Sequence, residues 1–255
     1  MKTILVIGAG AMGSAIVRGL ASAGYRTGVF NRSRRRLDSL SSLTGISIFT
    51  DLGEAFTTMK PDLAVIALPV GAIPEIAATA SRLAPEGTAI ASLSPMTTLA
   101  NLRELFPGRE VMRIMPNTGI TKGESMTFIC SDNEIIAAEA ATLFGNMGDA
   151  AIIPEKEMGA VTALASCGTA FALRYIRACM QAGVQMGLEP ADACRYTLRT
   201  LRGACALLDS GDTHPEAEID KVCTPGGLTV KGLNTLDCEG FSAAVIKAVT
   251  ASFKP

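Results

Sequence analysis

Along the first 150 residues, short apolar and β-branched runs alternate with longer stretches whose apolar positions recur every three or four residues. The short runs predict strands at residues 3–7, 27–30, 46–49, 63–67, 88–92, 111–115 and 126–130. The longer stretches predict helices at residues 12–23, 33–43, 73–83 and 99–105. Pro61-Asp62 and Pro85-Glu86-Gly87 supply turns just before two of the strands. Strands joined by amphipathic crossovers imply a mostly parallel sheet with helices on both faces.

From about residue 155 the texture changes and strand-like runs vanish. Residues 157–187 read as one long helix, and a second starts at Pro190 and runs to about residue 208, before a stop at Ser210-Gly211. Shorter helices are expected at residues 215–222, 228–236 and 241–252. The long helix carries small or apolar side chains on nearly every face, among them Ala160, Val161, Ala163, Leu164, Ala165, Ala170, Phe171 and Ala172. A helix of that kind must be buried on most faces. The helical half offers little material for that, so a second subunit is expected to cover it.

Composition narrows the function classes. With 48% apolar and 18% charged side chains over 255 residues, the chain can bury a core rather than remain disordered. Its 23 basic and 24 acidic residues create no global field favouring nucleic acid or an anionic membrane, and tryptophan is absent. No stretch approaches the roughly 18 apolar residues of a membrane span. Gly8, Gly10 and Gly13 interrupt the signal-like N-terminus, so a cytoplasmic protein is expected. Seven cysteines without a C-x-x-C pair, and a single histidine, His214, argue against a metal site. Their odd number fits reduced cytosolic thiols, most of them packed as small buried hydrophobes.

The strongest motif is Gly8-Ala9-Gly10-Ala11-Met12-Gly13, a G-x-G-x-x-G between a predicted strand and a predicted helix. Its glycines allow a tight turn, approach of a pyrophosphate to the backbone, and close helix–strand packing. The helix N-terminus supplies free N–H groups and partial positive charge for the anion. The expected architecture is therefore α/β, with an N-terminal Rossmann-like dinucleotide-binding domain at residues 1–154 and a C-terminal all-helical domain for dimerisation and substrate at residues 155–255. NAD sites usually carry an acid at the end of the second strand. Here that stretch is Asn31-Arg32-Ser33, with no acid before Asp38. Arg32, helped by Asn31 and Ser33, can hold a 2′-phosphate, so NADPH is expected to be preferred, with NADH still usable.

A hydroxyl–ketone dehydrogenase needs a group for the hydroxyl proton. His214 reads as a loop residue, and no lysine occurs between Lys156 and Lys221. A substrate that arrives protonated and electrophilic, such as a cyclic imine, needs no strong base. Further along, Pro225-Gly226-Gly227 makes a tight turn into a helix start at Leu228. The exposed N–H groups of such a turn suit a carboxylate, and Thr224 and Thr229 add hydroxyls on either side.

Taken in order, several segments resemble the pyrroline-5-carboxylate reductase family along essentially the whole chain. They are the glycine motif with Ser14-Ala15, Arg113-Ile114-Met115-Pro116-Asn117-Thr118, Ala182-Gly183-Val184 with Gly187-Leu188, Gly203-Ala204, and Thr224-Pro225-Gly226-Gly227-Leu228-Thr229. The resemblance implies reduction of 1-pyrroline-5-carboxylate to L-proline by NADPH, in an obligate homodimer that can assemble further into rings. It implies that Thr224 and the N–H groups of Leu228 and Thr229 hold the carboxylate, with the Thr229 hydroxyl catalytic at the ring nitrogen. Gly226 and Gly227 belong to the same substrate-binding loop, and Cys167 stands near the substrate. Met115, Pro116 and Asn117 would line the nicotinamide, with Ala67, Leu68 and Pro69 beneath the cofactor. The chain departs from the family pattern at Ala11, at Leu68-Pro69-Val70, in Ala165-Ser166-Cys167-Gly168-Thr169-Ala170 and at Gly119. Alternatives therefore stay open: a reductase of another cyclic imino acid or of a keto acid, and a catalytically silent NADPH-binding protein.

Overall fold

A computed structural model of the protein describes residues 1–209 and 211–253. Their contacts divide them into two compact units, residues 1–166 and 167–253.

The first unit is built on an eight-stranded sheet. In chain order its elements are β1 (Thr3–Ile7), α1 (Ala11–Ser22), β2 (Arg26–Phe30), α2 (Arg34–Leu37), β3 (Ile46–Phe49), α3 (Leu52–Met59), β4 (Leu63–Ile66), α4 (Ile73–Leu83), β5 (Ala89–Ser92), α5 (Leu99–Leu105), β6 (Val111–Met115), β7 (Ser125–Cys130), α6 (Glu134–Phe144), β8 (Gly148–Ile152) and α7 (Met158–Val161). The strands lie in the order β3-β2-β1-β4-β5-β6-β7-β8. All neighbouring pairs are parallel except β6 with β7. The chain leaves β1 toward β2 and returns to lie on its other side as β4. Strand order reverses there, which opens a crevice at the carboxyl ends of the strands.

Side-chain alternation along β1 shows why both faces need cover. Ile4 and Val6 pack with Ile16, Val17 and Leu20 of α1 and Phe144 of α6. Leu5 and Ile7 pack on the opposite face with Phe56 of α3, Ile76 of α4 and Phe106. A period of two puts successive residues on opposite sides of the sheet.

Two helices and one strand were not among the predicted elements. Asp51 caps α3 by accepting from the Glu54 N–H at 2.7 Å, and Asn133 caps α6 by accepting from Ile135 and Ile136. Both caps stand in the sequence as an Asx residue before a short apolar run. Strand β8, Gly148-Asp149-Ala150-Ala151-Ile152, consists mostly of residues depleted in strands, and its pairing with β7 sets its conformation. The helix expected at residues 33–43 shortens to Arg34–Leu37. Beyond it, the Ser41 hydroxyl donates to the Asp38 carbonyl at 2.7 Å, a local alternative to continued helix.

The second unit is helical: α8 (Gly168–Gln185), α9 (Pro190–Leu208), α10 (Pro215–Val222), α11 (Leu228–Cys238) and α12 (Phe241–Ala251). The expected stop after α9 falls partly on Ser210, outside the described residues; Gly211 beyond it has φ +71°, a left-handed conformation suited to glycine. Tyr175 of α8 meets Phe241 of α12 edge-on, with ring centroids 6.2 Å apart. In α8 and α9 only Gly183 and Ala193 are buried, and α10, α11 and α12 bury none of their described residues. Leu173, Met186, Leu228 and Ile246 stand more than half exposed.

One continuous helical run, Glu155–Gln185, links α7 to α8 through a π-helical turn, Thr162–Cys167. Contrary to the expectation of no span-like stretch, this run is long and apolar enough to cross a membrane by length and composition alone, because alanine and glycine dilute its few charges. The cysteine expectation also needs correction. Cys130 is buried, but Cys167, Cys179, Cys194 and Cys223 are half-buried and Cys205 and Cys238 exposed, because the second unit has almost no interior of its own.

Candidate active site

The glycine motif lies between β1 and α1 at the crevice. Gly8 has φ +114°, and a Cβ there would stand 2.6 Å from the Ala67 carbonyl oxygen. A Cβ on Gly13 would run into the Gly8 carbonyl oxygen. These two glycines are required by the fold itself. Gly10 is different: its φ of −76° suits any residue, and a Cβ there would meet no atom within 4 Å. Gly10 caps α1 without any side-chain bond, so no capping side chain takes the N–H groups of the first turn, beginning at Ala11 and Met12. An open cradle at a bare helix N-terminus fits a dinucleotide pyrophosphate.

At the end of β2, Asn31 is buried and its amide is engaged by the scaffold. Its Oδ1 accepts from the Ala9 N–H at 3.2 Å and its Nδ2 donates to the Ser33 carbonyl at 3.0 Å. Asn31 thereby ties the glycine loop to the end of β2. Arg32 and Ser33 remain exposed beside it. Arg32 lines a pocket of about 380 Å³ with Phe30, Thr50, Asp51, Leu68, Glu75, Thr79 and Arg82.

A second pocket of about 440 Å³ opens where β1, β4, β5 and β6 end, and six of the expected residues line it: Met12, Ala67, Leu68, Pro69, Met115 and Pro116. Leu68 lines both pockets. Asn117 does not line this one. Its side chain accepts from the Gly119 N–H at 2.9 Å and caps the short turn Thr118–Lys122. Val70 lines it as well, and the sequence reading missed Leu93, Ser94, Pro95, Met96 and Ser166, which complete the pocket. The first four directly follow β5, where the rule for parallel sheets places ligand-contacting loops, so their signal was present. Ser166 lies in the π-helical turn and its hydroxyl donates to the Pro116 carbonyl at 3.3 Å. Such turns project residues that a regular helix would place elsewhere, and they recur at functional sites.

An ion pair supports this wall from behind. Arg113 of β6 is buried, and its Nη1 meets Glu155 Oε1 at 2.9 Å while its Nη2 donates to the Pro95 carbonyl at 3.2 Å. Glu155 also accepts from the Leu99 N–H at 2.7 Å. The Glu155 carboxylate therefore joins β6 to the start of α5, while the Arg113 guanidinium ties β6 to the loop after β5. Burial, with the Glu155 charge nearby, pushes the Cys130 thiol up and keeps it protonated at neutral pH.

The other expected residues belong to the second unit. Thr224-Pro225-Gly226-Gly227 closes a turn through the Gly227 N–H and the Thr224 carbonyl at 2.9 Å. Proline followed by Gly226 at φ +72° is the type II pattern. A Cβ on Gly227 would stand 2.7 Å from the Thr224 hydroxyl, so glycine is needed for the turn to close. Gly227 caps α11 with no side-chain bond, which leaves the first N–H groups, Leu228 and Thr229 among them, for an acceptor from outside. The Thr229 side chain is exposed. Cys167 ends the π-helical turn and is half-buried. His214, never a strong candidate, caps α10 through its Nδ1 and the Glu216 N–H at 3.3 Å.

Comparison with known proteins places these features. Residues 155–255 match the family model described as pyrroline-5-carboxylate reductase dimerisation, and residues 3–95 match one described as NADP oxidoreductase coenzyme F420-dependent. The chain is 33% identical over 273 residues to pyrroline-5-carboxylate reductase 2 of Dictyostelium discoideum, covering 98% of this chain and 91% of that one. It is 31% identical over 267 residues to pyrroline-5-carboxylate reductase 2 of Bacillus subtilis, covering 100% and 94%. The fold is shared with the crystal structure of Plasmodium falciparum pyrroline carboxylate reductase with NADP bound, at TM-score 0.87 and 24% identity, covering 98% of this chain and 95% of that one. With identity at that level sustained from end to end, the chain belongs to the pyrroline-5-carboxylate reductase family.

Proposed function

We propose that the protein reduces the C=N bond of 1-pyrroline-5-carboxylate with NADPH to give L-proline. The observation that carries this reading is the bare N-terminus of α11 behind the Pro-Gly-Gly turn, in a chain related end to end to reductases of that substrate. When bound, the cofactor supplies a hydride to the imine carbon. The residues 8–13 turn and the α1 N-terminus hold its pyrophosphate, Arg32 its 2′-phosphate, and the Met12, Leu68, Pro69 and Met115 wall its ring. Thr224 and the N–H groups of Leu228 and Thr229 hold the substrate carboxylate. The Thr229 hydroxyl bonds the ring nitrogen, which keeps the added proton as the amine of proline. Positioning is the protein's main contribution, because a protonated imine is already electrophilic.

Given 1-pyrroline-5-carboxylate, the purified protein will oxidise NADPH and release proline, with a higher kcat/KM than for the six-membered imino acid or a keto acid. Tight NADPH binding without turnover of any cyclic imine would instead identify a silent cofactor-binding protein.

The reading assigns residues 1–154 to cofactor binding and residues 155–255 to substrate and dimerisation. The exposed apolar side chains of α8, α9, α11 and α12 support a homodimer in which the partner covers them. Sedimentation at micromolar concentration should give a dimer of the 26.5 kDa chain, or a ring built from dimers, and a stable folded monomer would defeat this assignment. Seven free thiols suit a reducing compartment, which supports the reading of a cytoplasmic enzyme.

A further inference from the structure

The pocket at the end of β2 holds a feature that the β2 sequence conceals. Where NAD sites carry an acid at the end of this strand, the chain has Asn31 and Arg32. Yet a carboxylate enters the same pocket from another element. Glu75, in the first turn of α4, stands with Oε2 3.5 Å from Arg32 Nη1, and both line the pocket. The pocket's other acid, Asp51, is occupied in capping α3. The Glu75 side chain pairs with Arg32. Both side chains are largely exposed, at 76% and 66%, so the pair is weak and readily exchanged.

We propose that Glu75 is a cofactor-selecting residue that tempers the preference for NADPH and keeps NADH usable. The proposal rests on the reading of Arg32 as the 2′-phosphate ligand. A 2′-phosphate must draw Arg32 away from Glu75 and then sit beside a like charge, and both effects oppose its binding. A 2′-hydroxyl meets the reverse situation, because a carboxylate at hand can accept its hydrogen bond, as the acid at the end of β2 does in NAD sites. Arg32 and Glu75 thus favour opposite cofactors from one pocket, and their weak pairing lets either be released.

The test uses adenosine fragments without a nicotinamide, so that binding is read apart from turnover. Calorimetry would measure adenosine 2′,5′-bisphosphate and 5′-AMP on the parent, Glu75→Gln, Arg32→Gln and the double variant, with NADPH and NADH kcat/KM alongside. Glu75→Gln should tighten the bisphosphate about fivefold at low salt, with the gain shrinking as salt screens it, weaken 5′-AMP, and lower kcat/KM for NADH. Arg32→Gln should weaken the bisphosphate about tenfold or more. If Arg32→Gln weakens the bisphosphate while Glu75→Gln leaves it unchanged, the role of Glu75 is overturned and that of Arg32 stands. If Arg32→Gln has no effect, the reading of Arg32 fails; a gain on Glu75→Gln would then leave direct repulsion by Glu75 as its action, and the absence of one would overturn both.

Discussion

Replacing Gly13 with alanine will destabilise the protein by about 3 kcal/mol, lower its melting temperature by roughly 10 °C and abolish tight NADPH binding. The new methyl group would run into the Gly8 carbonyl oxygen, a backbone atom with no rotamer to escape into. Either α1 moves away from the turn or the turn deforms, and in both cases the N–H groups at the α1 N-terminus lose their aim. Gly10→Ala is the control that separates fold from ligand. Its φ of −76° and the absence of any atom within 4 Å predict an unchanged melting temperature. Its methyl group would stand in the open cradle, so affinity for NADPH should fall about tenfold or more, roughly 1.4 kcal/mol. Calorimetric melting and fluorescence titration of both variants check this. An unchanged affinity in Gly10→Ala would place the pyrophosphate elsewhere.

Thr229→Ala should lower kcat for imine reduction about 100-fold while leaving NADPH affinity within about twofold, because a positioned proton-bonding group typically contributes that much. The substrate KM should change little. The carboxylate is assigned to backbone N–H groups at the start of α11, which the substitution retains, and the exposed hydroxyl is not used to cap the helix. Thr229→Ser, which keeps a hydroxyl, should recover most of the rate. Steady-state kinetics with both variants decides the matter, and parental kcat in Thr229→Ala would remove this residue from the mechanism.

Particular residues show where legibility ended. Strands β1, β3 and β6 and helices α4, α5, α9 and α10 lie at the predicted bounds, because each joins a clear apolar period to a local start or stop signal. The glycine motif was readable because its requirement is local: a turn between one strand and the next helix. The crevice wall was readable only in part. Met12, Met115 and Pro116 came from segments that resemble a family, and Ala67, Leu68 and Pro69 from the place the resemblance implies for the cofactor although the chain departs from the family pattern there, whereas Ser94 and Pro95 carry no such pattern and reach the pocket only because β5 lies between β4 and β6. Asn31 and Asn117 show the opposite limit: both side chains accept bonds from scaffold N–H groups. An amide looks the same in sequence whether it meets a ligand or the backbone.

Local residue patterns were enough to specify the α/β first half, the helical second half, the dinucleotide turn, the Pro-Gly-Gly helix start and the surplus of apolar helix surface. Each follows from spacing within a few residues, where backbone geometry and side-chain period act directly. Only the packing of distant segments made Glu155 link Arg113 to the start of α5, tied Arg113 to the crevice wall at Pro95, brought Ser166 into the pocket through a π-helical turn, and set Glu75 against Arg32. Those pairs lie far apart along the chain. Their meeting depends on strand order and helix packing, and no local pattern encodes it.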